Sequence, residues 1–359
     1  MHNSMVRIGA QQGITRELED PKGELRVLLP LLDGTRSLES VIARAGELMP
    51  RLRAEQIREG LALLDESGLI EDASLYDELP ERLHANQAFF TAAAATSDSK
   101  GNRAQGVLQE SHVLLLGLGG GGSACLPQLL ALGLGRLTIV DYDVVETSNL
   151  NRQTLFRTSD LGRKKLDVAR EYAKAFAPST EVSAYDLRIE GVEQVQHLAE
   201  GTAGILCTID EPPFVAQRRV NAAAIALKLP ATFLLSQHTR GRVFSVKTEE
   251  SGCMDCLQIH DELNTVDFLP QYRALMSPER PGTTAAIAPH IQRLASYGVD
   301  EILRLTTRYA APIALGKQVE IDYLTGELGT LMAWDRHEGC PTCGTADPRF
   351  EYVFEVAPL

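Results

Sequence analysis

The run His112-Val113-Leu114-Leu115-Leu116-Gly117-Leu118-Gly119-Gly120-Gly121-Gly122 decides how the rest of the 359-residue chain is read. Four apolar residues after His112 make a short buried strand, and an apolar helical pattern through Leu126, Leu129, Leu130 and Leu132 follows the glycines. A glycine-rich turn between strand and helix lets the backbone approach a phosphate, and the helix amino terminus offers unpaired N–H donors and partial positive charge. A second strand, Leu137-Thr138-Ile139-Val140, ends in Asp141-Tyr142-Asp143, where an acceptor for a ribose hydroxyl belongs. The pattern predicts a Rossmann-like α/β domain binding a nucleotide at Gly117, Gly119, Gly120, Gly122, Asp141 and Asp143. A dinucleotide-dependent oxidoreductase, or a glycine turn without a ligand, shares these features.

The next segment separates the readings. Thr147-Ser148-Asn149-Leu150-Asn151-Arg152-Gln153 is followed by Gly162-Arg163-Lys164-Lys165. Hydride transfer has no evident use for two cationic stations here. Attack on the α-phosphorus of a triphosphate does, because negative charge must be stabilised as pyrophosphate departs. Nucleotidyl transfer is the reading that uses these residues.

The other signals bound the partners and the compartment. Lys and Arg number 35 against 48 Asp and Glu, a net charge of −13, which argues against nucleic acid as main partner because phosphate backbones select clustered cations. No apolar run approaches the roughly 18 to 20 residues that span a bilayer, and Met1 to Gly9 has no basic flank before an apolar core. A soluble cytoplasmic protein is expected. Four of the six cysteines form the pairs Cys253-Met254-Asp255-Cys256 and Cys340-Pro341-Thr342-Cys343. Two C-x-x-C pairs in such a chain read as a closed four-cysteine structural zinc site rather than disulfides. Cys125 and Cys207 lie in apolar surroundings and read as small core residues.

Residues 1–76 have a different pattern. Val6-Arg7-Ile8 and Ile14 to Leu18 alternate as strands do; Leu25 to Leu32, a second segment after Ser37 and a third through Ile57, Leu61 and Leu64 recur at helical spacing; Leu69-Ile70 reads as a last short strand. A small winged-helix-like α+β module is expected over 1–76, a connector over 77–110 with a surface loop or short helix at Ala92 to Gly101, and the nucleotide domain over 111–359. A plain winged helix for nucleic acid shares the pattern, although Ala54 to Glu66 is mixed in charge and not basic.

Through Leu32-Asp33-Gly34-Thr35-Arg36-Ser37 and Leu64-Asp65-Glu66-Ser67-Gly68-Leu69-Ile70, the first module resembles the PqqD-like leader-peptide recognition domain of ribosomal-peptide maturation enzymes. From residue 111 to 345 the ordered set of strand, glycine turn, Asp141, Ser148 to Gln153, Lys165, Cys207-Thr208-Ile209-Asp210 and the two cysteine pairs resembles the ubiquitin-activating, MoeB and ThiF superfamily. That resemblance implies ATP and Mg2+, with Asp141 on the ribose, Asn149, Arg152, Gln153 and Lys165 on the phosphates, Asp210 helping bind magnesium, and zinc on Cys253, Cys256, Cys340 and Cys343. It implies a homodimer too, whose interface the apolar stretch Ile287 to Leu305 could join if helical and exposed. Each residue has a plainer alternative: Asp141 as a turn cap, Arg152 in a surface ion pair, Asp210 as a helix cap. Two positions depart from the superfamily pattern. Asp210 is displaced by one residue and followed by Glu211, and the double-arginine motif, aligned on Arg82, has Ala85 in its second place, leaving Arg103 as a candidate replacement.

The two-part layout and the stretch Thr248 to Cys256 most resemble the peptide-modifying enzymes of microcin C and pantocin A biosynthesis. The implied reaction adenylates a carboxylate of a ribosomal precursor peptide, with the pantocin-type glutamate side chain favoured by the missing second arginine. C-terminal adenylation of a microcin-like peptide, a leader-delivery protein without catalysis, and a sulfur-carrier adenylyltransferase are the alternatives.

Overall fold

The computed structural model describes residues 4–9, 15–77, 79–96, 103–276 and 285–359. They form two compact units, Met1–Ala104 and Gln105–Leu359.

In the first unit, β1 (Met5–Ile8) and β2 (Arg16–Glu19) pair antiparallel, with Val6 opposite Leu18. Then come α1 (Glu24–Leu28), α2 (Leu38–Leu48), α3 (Ala54–Glu66), α4 (Ser74–Asp77) and α5 (His84–Thr96). Pro30 tightens the end of α1 into a 3₁₀ turn, and Ser37 caps α2 by accepting from the Ser40 N–H. Leu28, Val41, Ile42, Ala45, Ile57, Leu61 and Leu64 form the core. The expected strand at Leu69-Ile70 does not form. Gly68, at φ +63°, reverses the chain after α3, the Leu69 N–H donates to the Leu64 carbonyl, and both side chains fold back onto the helical core. Apolar side chains satisfied in this way need no partner strand. Ile14, the first residue of the expected second strand, lies outside the described residues. The alanine run after Ala92 continues α5 as far as Thr96, and the expected loop beyond it, to Gly101, is again outside them.

The second unit opens with α6 (Ala104–Glu110) and continues β3 (His112–Leu116), α7 (Gly120–Ala131), β4 (Arg136–Asp141), α8 (Lys165–Phe176), β5 (Glu181–Asp186), α9 (Val192–Ala199), β6 (Gly204–Cys207), α10 (Val215–Leu227), β7 (Ala231–Gln237), β8 (Arg240–Val246), α11 (Met254–Asn264), α12 (Phe268–Met276), α13 (Ala288–Thr307), β9 (Lys317–Asp322) and β10 (Leu328–Ala333). The strands build one sheet in the order β10-β9-β8-β7-β6-β3-β4-β5. β3 to β7 run parallel, and β8, β9 and β10 extend the sheet antiparallel. The Rossmann-like expectation therefore holds, within a mixed sheet.

Strand order reverses between β3 and β6, so the helices following them leave toward opposite faces and open a crevice at the strand ends, where doubly wound sheets bind ligands. Register sharpens the point. Leu116 pairs with both Val140 and Cys207, so β3, β4 and β6 end level, and Gly117, Asp141 and Thr208 emerge in one row. α13 is helical as expected but not exposed. Ile291, Leu294, Val299, Ile302 and Leu305 are buried in its own unit, packed on α7 and on β6 to β8. Its apolar face is spent on this core, so the condition that it be exposed is not met.

Candidate nucleotide site and cysteine cluster

The glycine turn is shaped by close approach. Gly117 has φ +92°, where side chains are strained, and a Cβ on Gly122 would lie 1.8 Å from the Gly117 carbonyl oxygen. Only glycine lets α7 start this close to the end of β3. The Arg152 side chain lies over that start, with Cδ and Nε 3.7 Å from where a Gly120 Cβ would be. A guanidinium and a helix amino terminus thus share one anion-attracting corner. Arg152 is held there by donating to the Ser148 carbonyl and to Asn151 Oδ1, both at 2.9 Å, and among the described residues it joins no ion pair.

Asp141 is buried and organises the turn. One carboxylate oxygen accepts from the Leu118 N–H at 2.5 Å and the other from the Asp143 N–H at 2.8 Å. The turn-capping alternative is therefore realised, and a carboxylate so fixed keeps lone pairs for a hydroxyl donor. Lys165, at the first position of α8, places its ammonium 2.9 Å from Asp143 Oδ2, with a lysine side chain only 4% exposed. Asn149 is occupied locally, its Oδ1 accepting from the Glu146 N–H at 3.0 Å. Gln153 is buried, and its amide oxygen meets no protein donor among the described residues.

Asp210 follows β6 across the crevice. It is open to solvent on one side, yet the surrounding protein raises its pKa, with the adjacent Glu211 adding to the rise and Arg152 opposing it. It caps no helix, since α10 begins five residues later with Phe214 before it and no side-chain cap. A carboxylate whose charge is disfavoured beside a second carboxylate is suited to a cation, so the residues present fit magnesium. In the sequence Glu211 is only the residue that follows the displaced Asp210, and its acidity there is the signal that pairs the two carboxylates. Sequence reading also missed Arg188, whose guanidinium sits 5.5 Å from the Tyr142 ring centre just beyond Asp141. Ala85 and the arginines at 82 and 103 belong to the first unit.

The four paired cysteines converge. All sulfurs lie within 4.8 Å of one another, at 3.9 Å for Cys253–Cys256, 3.7 Å for Cys253–Cys340 and 3.3 Å for Cys256–Cys343. Tetrahedral zinc with bonds of about 2.3 Å separates its sulfurs by about 3.8 Å, so the donor set fits. The His337 N–H points at Cys256 Sγ, 3.3 Å away, the kind of outer contact that steadies a thiolate. Behind the cluster lies an ion pair no spacing announced. Arg218 on α10 donates to both oxygens of Asp255 at 3.0 and 2.9 Å, its plane over the Phe354 ring at 4.0 Å, and Thr342 donates to the same carboxylate at 2.6 Å. Asp255 lies inside one cysteine pair and Thr342 inside the other, so this buried pair ties the two knuckles to α10. Burial pushes the thiols of Cys125 and Cys207 up, the second to about 12, which leaves neither as a nucleophile.

The model of the ThiF family matches residues 92–342. The molybdopterin-synthase adenylyltransferase of Escherichia coli (strain K12) is 29% identical over 242 residues, 67% of this chain and 90% of the relative. Among solved structures, MccB of E. coli with ATP superposes with a TM-score of 0.71 at 18% identity, covering 95% of this chain and 98% of that one. PaaA does so with a TM-score of 0.70 at 21% identity, over 92% and 99%. At these identities the two structures establish likeness of fold. Among the described residues no helix is long and apolar enough to cross a membrane.

Proposed function

The chain belongs to the ThiF family, and from that premise we propose that this ATP-dependent adenylating enzyme activates a carboxylate of a ribosomally made precursor peptide whose leader is held by the N-terminal unit. In the reaction a carboxylate oxygen attacks the α-phosphorus, the bond from that phosphorus to the bridging oxygen breaks, and pyrophosphate leaves an acyl-adenylate. Arg152 and Lys165 neutralise charge on the departing pyrophosphate, Asp141 accepts from the ribose, and Asp210, aided by Glu211, holds magnesium. When bound, magnesium neutralises phosphate charge. An amide nitrogen or carbon nucleophile of the peptide then displaces AMP, because burial leaves neither Cys125 nor Cys207 to form a thioester. We take the activated group to be a glutamate side chain, as in pantocin A maturation, since Ala85 stands where a microcin-type site has its second arginine. Zinc on Cys253, Cys256, Cys340 and Cys343 is structural, and the enzyme is a homodimer, which sedimentation at micromolar concentration tests.

One observation carries the reading. Asp141, Arg152, Lys165 and Asp210 line one crevice of a chain whose residues 1–91 lie outside the ThiF match and fold within a separate unit. A leader could add as a strand to the exposed β1–β2 ribbon and so raise the effective concentration of the core carboxylate near ATP. MccB, the microcin C7 biosynthetic enzyme, has been solved in complex with N-formylated MccA, which supports a peptide. The sulfur carrier protein ThiS adenylyltransferase of Escherichia coli (strain K12), 28% identical over 245 residues, favours a sulfur carrier as the second reading, but adenylating a sulfur carrier leaves the first unit without a task. A chain beginning at Arg103, which keeps α6, should bind ATP yet process precursor poorly, and leader added in trans should not rescue it. Processing at the full rate would refute leader recognition, and pyrophosphate release with a sulfur-carrier protein but with no precursor peptide would assign the second reading.

A further inference from the structure

We propose that Phe214 and Tyr272 form an aromatic clasp that holds the Asp210 loop at the magnesium position; the inference rests on the adenylation reading above. Between β6 and α10 the chain passes through Asp210, Glu211, Pro212, Pro213 and Phe214. The two prolines carry no N–H, so the loop has few backbone donors with which to anchor itself. Phe214 then adopts φ 61°, ψ −43°, a conformation that bulky residues avoid and hold only where the surroundings impose it.

Its ring supplies the reason. Phe214 packs edge-on against Tyr272 with centroids 4.5 Å apart, and Tyr272 stacks on Phe268 at 5.3 Å. Tyr272 is 1% exposed, and its hydroxyl donates to Gln258 Oε1 at 3.1 Å. Gln258 stands two residues beyond Cys256 on α11. The loop carrying Asp210 is therefore tied, through two rings and one hydrogen bond, to the helix that grows out of the first cysteine knuckle. Phe214 and Tyr272 touch neither nucleotide nor metal in this reading. They are positioning residues for Asp210.

The test uses the full chain with a non-hydrolysable ATP analogue and manganese as the metal probe, followed by electron paramagnetic resonance. Outer-shell losses weaken metal binding by about tenfold or more, so Phe214→Ala should raise the manganese dissociation constant by about tenfold while leaving metal-free binding of the analogue unchanged. The magnesium concentration giving half-maximal pyrophosphate release should rise in parallel. Val356→Ala trims the same apolar cluster while keeping both rings, and should lower the melting temperature without moving manganese affinity. Phe214→Leu keeps the apolar bulk, guards against a variant that fails to fold, and should weaken manganese by about threefold through loss of the ring contact. Manganese affinity unchanged in Phe214→Leu and in folded Phe214→Ala overturns the clasp alone. Wild-type protein that binds no manganese with the analogue overturns the adenylation reading and the clasp with it.

Discussion

Replacing Lys165 by alanine tests the nucleotide site most directly. The ammonium is nearly enclosed, its one ionic partner among the described residues is Asp143 at 2.9 Å, and that carboxylate is itself half exposed. Removing the lysine deletes one preorganised positive charge and leaves Asp143 without its counter-ion beside a triphosphate. Loss of one such charge partner costs about 2.7–4 kcal/mol in the transition state, a hundredfold to a thousandfold in rate. The effect on folding is expected to be small, because solvent reaches the carboxylate side of the pair and screens it to about 1 kcal/mol, or about 3 °C for a unit of this size. The assay is peptide-dependent pyrophosphate release, with the melting temperature recorded alongside. Lys165→Met combined with Asp143→Asn removes the stranded carboxylate as well, and should recover ATP binding in part but not turnover. Turnover of Lys165→Ala within threefold of wild type would refute the placement of the phosphates at this corner.

Three further outcomes follow from the geometry. Purified protein should carry one zinc per chain by mass spectrometry, and Cys340→Ser should lose the metal and melt earlier, whereas metal-free protein of unchanged stability contradicts the assignment. Arg218→Met should lower stability by about 3–5 kcal/mol, because it leaves Asp255 buried with only Thr342 to satisfy it, and adding Asp255→Leu should restore part of the loss in chemical denaturation. Asp210 has a folded pKa above the ordinary 3.8, so its ionised form opposes folding at neutral pH and the opposition disappears as pH falls below that ordinary value. Without metal, Asp210→Asn should therefore melt above wild type at pH 7 and with it near pH 3, measured by scanning fluorimetry; equal melting at pH 7 counts against the burial argument.

What could be read from the sequence was local. A strand running into glycines needs only the neighbouring backbone to make a phosphate-sized turn, so Gly117 to Gly122 and Asp141 were legible from order and spacing. Each cysteine pair was legible for the same reason, because two thiolates three residues apart on one knuckle already point the same way. Contacts that depend on the packing of distant elements were not. The periodicity of Ala288 to Thr307 reveals an apolar face but not what covers it, and only the sheet order brings α7 and β6 to β8 there. Leu69-Ile70 has the residues of a strand, but a strand needs a partner's N–H and C=O groups, and a left-handed glycine at 68 turned the pair onto helices instead. Arg218 and Asp255 are 37 residues apart, with no pattern between them. They meet because α10 and α11 pack side by side, and once both charges are dehydrated there, each becomes the other's necessary partner.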